Sequence, residues 1–219
     1  MPSNAAANAE TRSRPRRRNA TQSRDRIVQA ASREFSARGF DAAGVDRIAR
    51  RARVNKALIY YYFGSKLSLY RTVLRTQMAA LVDALRRSVE GSDEPARKLD
   101  RYIEALVGHV VETSDLTSLI LRELADGGRH LDADILREMV SLPTLLFTVI
   151  TQEREPRGPT EGDVLMLHFM LTGTTLLMAS NKSIRSRVRQ MRLAQPPADT
   201  RDIVARLQAF ARRALRKDQ

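Results

Sequence analysis

The stretch from residue 44 to residue 66, GVDRIARRARVNKALIYYYFGSK, concentrates side chains that bind polyanions. Arg47, Arg50, Arg51, Arg53, Lys56 and Lys66 supply cations, and Tyr60, Tyr61 and Tyr62 supply phenol donors. Phosphate oxygens are held by cations, hydroxyls and backbone amides, whereas base edges are read by a few side chains on an exposed helix. Such groups need a packed surface behind them. Val45, Ile48, Ala49 and Ala52 recur at helical spacing, and Ile59 and Phe63 do so again after Asn55, a favoured N-cap residue. The spacing predicts two short helices joined by a tight turn, followed by the start of a third. Small apolar residues face one way while cations and phenols face the other, the division a helix-turn-helix requires to lay its second helix in a major groove.

The charge distribution singles out the same part of the chain. The formal net charge is +13; residues 1 to 88 carry 19 Lys and Arg against 6 Asp and Glu, and the rest of the 219 residues carry 19 of each. The whole excess therefore lies beside the helix-turn-helix pattern, where neutralising phosphates would release counterions and supply sequence-independent affinity. With 42% hydrophobic and 5% aromatic residues, the composition is ordinary for a soluble, mostly helical protein of one or two domains. No apolar run approaches the roughly 20 residues that span a bilayer, and the N-terminus lacks the apolar core of a signal peptide. The expectation is a cytoplasmic protein with no membrane partner. The absence of Cys excludes disulfides, thiolate metal sites and Cys nucleophiles.

Taken in order, residues 1 to 20 read as a disordered basic arm containing Arg12, Arg14, Arg16, Arg17 and Arg18, either lying along DNA or serving as a solubilising tail. A first helix is expected from about Gln22 to Arg38, striped by Ile27, Val28, Ala31 and Phe35. Gly39 follows at a position suited to the left-handed C-terminal conformation, with Phe40 folding back on the helix.

The pattern Ile27, Ala30, Ala31, Phe35, Gly39, Phe40, Ile48, Ala49, Val54, Lys56, Ile59, Tyr60, Tyr61, Phe63, Ser65, Lys66 and Leu69 resembles the DNA-binding domain of TetR-family bacterial transcriptional regulators. The resemblance implies an all-α fold: an N-terminal three-helix helix-turn-helix domain at residues 21–68, and a C-terminal helical effector-binding and dimerisation domain at residues 69–219. It implies a homodimer that binds a double-stranded DNA operator and answers to a small effector, with no cofactor and no metal. Carried over residue by residue, the DNA-binding set is Gly44, Val45, Asn55, Lys56, Ala57, Leu58, Tyr60, Tyr61, Tyr62 and Lys66. Backbone amides at the start of the first helix of the motif would meet a phosphate, since Ala43 and Gly44 replace the hydroxyls usual there. Lys56 would reach guanine O6 or N7, Ala57 would keep the helix end thin, and Leu58 would meet a thymine methyl. Tyr61, Tyr62 and Lys66 would hold phosphates, while Phe63 and much of Tyr60 would pack. Arg53 stands where the turn commonly has Gly, so either the turn relaxes or Arg53 takes a positive φ.

Beyond residue 66, helices are expected at about 66–88, 95–113, 115–126, 134–155, 160–187 and 199–216, making about nine in all. The first of these spans head and body, and the family analogy makes it the route of switching. Pro143 falls inside the fourth and should remove one backbone hydrogen bond and kink it. Tyr102, Leu106, His109, Met139, Leu146, Phe147, Met166 and Phe169 are candidates for a largely apolar effector pocket. Leu167, Leu171, Gly173, Thr174, Leu177, Met178, Ile203, Val204, Leu207, Phe210 and Leu215 are candidates for a dimer interface. His109, His130 and His168 lack metal-site spacing, and Asp132 and Asp134 read as helix caps, so no enzyme is expected. The function that follows is a regulator, in the first place a repressor; a DNA-binding protein without effector control, and an activator, are the alternatives.

Overall fold

A computed structural model of the chain describes residues 5–91, 94–151 and 158–215. Among residues whose backbone is described, side chains are described from Ala20 onward apart from Pro95, so the arginines at 12–18 lie outside that set; residues 152–155, at the end of the helix expected at about 134–155, lie outside the described residues. The described residues form ten helices and no strand: α1 (Ala5–Ala42), α2 (Val45–Ala52), α3 (Lys56–Phe63), α4 (Lys66–Val89), α5 (Pro95–Glu112), α6 (Ser114–Ala125), α7 (Ala133–Ile150), α8 (Glu161–Ser180), α9 (Lys182–Gln190) and α10 (Thr200–Leu215). The backbone divides into two units, Met1–Val73 and Leu74–Gln219, with the boundary inside α4.

In the first unit, Ile27, Ala31 and Phe35 of α1 are fully buried, as are Ile48 of α2 and Leu69 of α4. Gly39 interrupts α1 at φ 75° and ψ 174°, so its φ is positive as expected while its ψ is extended rather than left-handed helical. This reversal brings Phe40 back over the helix, with its ring 6.3 Å from that of Phe35 and 5.2 Å from that of Tyr70. Phe35 and Tyr70 meet edge to face at 4.9 Å, a favourable quadrupolar arrangement. The backbone is helical from Ala5 rather than from about Gln22, which differs from the expected arm; Ala and Arg in that segment are strong helix formers.

In the second unit, α5 and α8 each pack against α10, and against α6 and α7. Tyr102, Ile103 and Leu106 of α5, Leu146 of α7 and Leu171 of α8 are fully buried. Pro143 lies inside α7, and the Tyr102 hydroxyl donates to the carbonyl of the preceding Leu142 at 3.4 Å. Asp132 caps α7 by accepting from the Ile135 amide at 3.1 Å, whereas Asp134 instead pairs with Arg75 and Arg137. A reciprocal capping box between Thr160 and Asp163 starts α8.

Two expectations change here. The helix expected at 160–187 is broken at Asn181 (φ −104°, ψ 27°), which separates α9 from α8 and raises the count from nine to ten. Asn competes for backbone hydrogen bonds and ends helices readily. Secondly, α8 is long and apolar enough to cross a membrane by length and composition, with a mean hydropathy of 1.3, where no apolar run of that length was expected. Val164, Leu167, His168, Leu171, Thr175 and Leu176 of this helix are buried within the unit.

Candidate nucleic-acid interface and effector cavity

The entry to the helix-turn-helix is set by a carboxylate on α1. Glu34 falls on the apolar stripe of that helix and is buried. It accepts hydrogen bonds from the Gly44 amide at 3.3 Å and from Arg47 Nε, and lies 3.4 Å from Arg38 Nε. Burial alone would raise its pKa, but the Arg47 and Gly44 hydrogen bonds and the two guanidinium charges outweigh it and hold the carboxyl below its ordinary value. The Gly44 amide is therefore already engaged by Glu34, which leaves the phosphate contact expected here to the backbone amides of Val45 and Asp46. The Val45 side chain is buried, leaving only its backbone for such a contact.

The turn keeps its tight geometry at the expense of Arg53, which adopts φ 56° and ψ 48°. The Val54 amide donates to the Ala49 carbonyl at 3.0 Å and the Arg53 amide to the Arg50 carbonyl at 3.2 Å, closing α2. Asn55 then caps α3, its Oδ1 accepting from the Ala57 amide at 2.9 Å. On α3, Ile59 and Phe63 are buried, while Lys56, Ala57, Tyr60 and Tyr61 form an exposed stripe. Tyr61 is 80% exposed and Tyr60 43%, so Tyr60 belongs to the open face rather than to the core packing expected of it. Leu58 and Tyr62 are half-buried at its flanks; the Tyr62 ring meets those of Tyr61 at 5.3 Å and Phe63 at 6.3 Å.

Both lysines have partners within the head. Lys56 Nζ donates to Asp46 at 3.0 Å, and that hydrogen bond and charge raise the lysine's pKa above its ordinary value. Lys66 Nζ donates to the Asp41 carbonyl at 3.1 Å and sits 4.8 Å from the centre of the Phe40 ring, so it ties α4 to the end of α1. Ser65 caps α4, accepting from the Ser68 amide at 3.0 Å. A feature missed in the sequence is an open groove of about 310 Å³ between α1 and α2, lined by Arg26, Arg33, Arg51 and Arg53 with Gln29. Its cations come from two helices and converge only in the fold; their separate excess of charge was the one available signal.

The second unit contains a cavity of about 150 Å³, lined by apolar side chains including Met78, Leu81, Val110, Met139 and Phe169, together with His168, Thr172 and Gly173. Of the pocket candidates, Met139 and Phe169 line it. Tyr102, Leu106 and Leu146 are instead fully buried core, because their helices present those positions to one another. Burial raises the pKa of the Tyr102 phenol. Phe147 lines a separate shallow groove with Pro143 and Leu165, and Met166 is exposed. His109 is half-buried, and burial lowers its pKa. Among the interface candidates, Leu167, Leu171, Ile203 and Leu207 are buried within their own unit. The outward apolar residues of α8 are Leu165, Met166, Phe169, Met170 and Leu177, with Phe210 exposed on α10.

Residues 27–73, which hold the whole helix-turn-helix, match the family model described as bacterial regulatory proteins, tetR family. The transcriptional activator FasR of Mycolicibacterium smegmatis is 36% identical over 97 residues, covering 44% of this chain and 44% of FasR, so the alignment spans less than half of that relative. The transcriptional repressor NicS of Pseudomonas putida is 25% identical over 205 residues, covering 92% of this chain and 96% of NicS. A solved TetR family transcription regulator from Marinobacter aquaeolei superposes with a TM-score of 0.71 at 18% identity, covering 91% of this chain and 98% of that one. The head is thus a helix-turn-helix module of the regulatory kind, and the body shares the fold of the same group. Residues 27–73 carry a DNA-binding domain of the tetR family of bacterial regulatory proteins.

Proposed function

We propose that this protein is a cytoplasmic transcriptional repressor that binds a pseudo-palindromic DNA operator as a homodimer and is released by a small, largely apolar effector. The observation that carries the reading is the exposed stripe of Lys56, Ala57, Tyr60 and Tyr61 over buried Ile59 and Phe63, in the part of the chain that holds the entire net charge. A thin helix end flanked by phenols and cations suits base contact at Lys56 and Ala57, with phosphate contact from Tyr61. A two-fold protein reading two major grooves needs recognition helices about 34–36 Å apart or a multiple of it. The apolar face of α8 with Phe210 would be the surface that a second copy covers. The cavity beside Met78 and Leu81 of α4 is the effector site in this reading.

Selection of bound fragments from genomic DNA tests it. Recovery of a palindromic sequence bound by dimers supports the regulator; binding with no sequence preference and only the salt dependence of nonspecific contacts would overturn it. The 36% identity with FasR, named a transcriptional activator, favours activation as a second reading. Transcription from the selected operator, with and without the protein, separates the two.

A further inference from the structure

The groove of about 310 Å³ between α1 and α2 gathers four guanidinium groups over a floor of small side chains. Arg26 and Arg33 stand two turns apart on α1, about 10 Å along its axis, and Arg51 and Arg53 line the groove from the end of α2 and the turn after it. Ala30 and Ala52 between them are buried, and all four arginines are exposed. Among the described residues, no Asp or Glu lines the groove and none of the four arginines pairs with a carboxylate; Arg26 donates to the Ser23 hydroxyl at 3.2 Å. Like charges brought together repel one another, and an anion relieves that repulsion.

Arg53 shows that the cluster is held at a cost. It keeps φ 56° and ψ 48°, a left-handed conformation open to Gly and unfavourable to a residue with a Cβ. Backbone strain of this kind gathers at functional positions. Arg53 also stands three residues before Lys56, so the groove adjoins the N-terminal end of α3. A second open groove shares Arg26 and Gln29 and continues along α1 past Ser23 and Gln22, with Asp25 as the one acid in its lining. Guanidinium, amide and hydroxyl donors in a row are the groups that hold a phosphate backbone.

We propose that this trough is a second DNA-binding surface, in which Arg26, Arg33, Arg51 and Arg53 hold backbone phosphates of the strand bordering the major groove that α3 enters, without contact to any base. The inference rests on the reading of the head as a DNA-binding module. The open form of the groove and its continuation along α1 suit a polymer that enters and leaves it, where a small phosphorylated ligand would lie largely in water. Contacts of this kind fix register and add affinity for every sequence alike.

Anisotropy titrations of the full chain against a selected operator and an arbitrary duplex, over a range of salt, are the experiment. Arg33→Gln combined with Arg51→Gln should lower the slope of log affinity against log salt by about 1.8 on both duplexes, about 0.9 for each phosphate released, and leave the preference for operator unchanged. Arg33→Lys combined with Arg51→Lys should restore most of the slope. Methylphosphonates, which neutralise one operator phosphate at a time, should reveal a position whose substitution weakens the parent and not the glutamine variant. An unchanged slope, a loss confined to the operator, or a methylphosphonate scan identical in parent and variant would each overturn the proposal. So would pyrophosphate that binds the parent and not the variant while the DNA slope stays the same, which gives the groove to a free phosphorylated ligand. If selection yields no operator, a lowered slope on arbitrary duplex still upholds the trough while removing the regulator.

Discussion

Lys56, the proposed base reader, is already paired with Asp46 before any DNA arrives. Its ion pair with Asp46 is exposed on both sides, and such pairs contribute about 0–1 kcal/mol, so DNA can displace Asp46 at little cost. Lys56→Ala should weaken operator binding by about 1–3 kcal/mol and relax sequence preference at one base position, measured by anisotropy on operator variants. Asp46→Asn should act the other way, strengthening binding by up to about fivefold as a competing carboxylate is removed. Unchanged affinity in both variants would take this pair out of recognition. In the body, His168 links stability to acidity. Its folded pKa of about 4 lies below the ordinary value of 6.5, so the unfolded chain binds more protons between those values. The stability it contributes is full above pH 6.5 and is lost as pH falls towards 4. Urea unfolding should show about 2 kcal/mol more loss between pH 7 and pH 5 in the parent than in His168→Gln.

At the scale of elements, α2 is held by a buried carboxylate and closed by a strained arginine. Glu34→Gln should destabilise the head by about 1–3 kcal/mol, because a buried group hydrogen-bonded to Arg47 and Gly44 loses its charge. Arg53→Gly should raise thermal stability by about 1 kcal/mol by relieving the left-handed conformation, while weakening nonspecific DNA binding through loss of one cation from the arginine groove. Equal stability of parent and Arg53→Gly would show that the strain is absorbed elsewhere. These elements also mark what was legible in the sequence. The period of Val45, Ile48, Ala49 and Ala52 places α2 outright, and Asn55 places the start of α3. Glu34 was invisible as a latch because charge on an apolar stripe has no meaning until a partner helix is positioned over it. The cavity was partly misread for a similar reason: Tyr102, Leu106 and Leu146 have pocket-like size, yet only packing decides whether a large apolar residue lines a void or fills one. Asn181 carried a helix break that periodicity alone does not reveal.

For the whole molecule, the face of α8 that carries Met166 and Leu177 is the unpaired apolar surface on which the proposed dimer depends. Met166→Glu combined with Leu177→Glu should shift sedimentation from dimer to monomer and reduce operator affinity at least tenfold while leaving the helical signal intact; a dimer that persists would place the interface elsewhere. The asymmetric charge predicts a steep dependence on salt, with a slope of log affinity against log salt of about −0.9 per phosphate neutralised. The Asp46–Lys56 pair gives that charge a further consequence. In the proposed regulator, other cations of the head would hold the phosphates of arbitrary duplex, and Lys56 could stay parked on its own carboxylate. A regulator built this way would glide over noncognate sequence with its probe sheathed and unsheathe it where a guanine out-competes Asp46, so the pair favours rapid search over tight lingering at wrong sites.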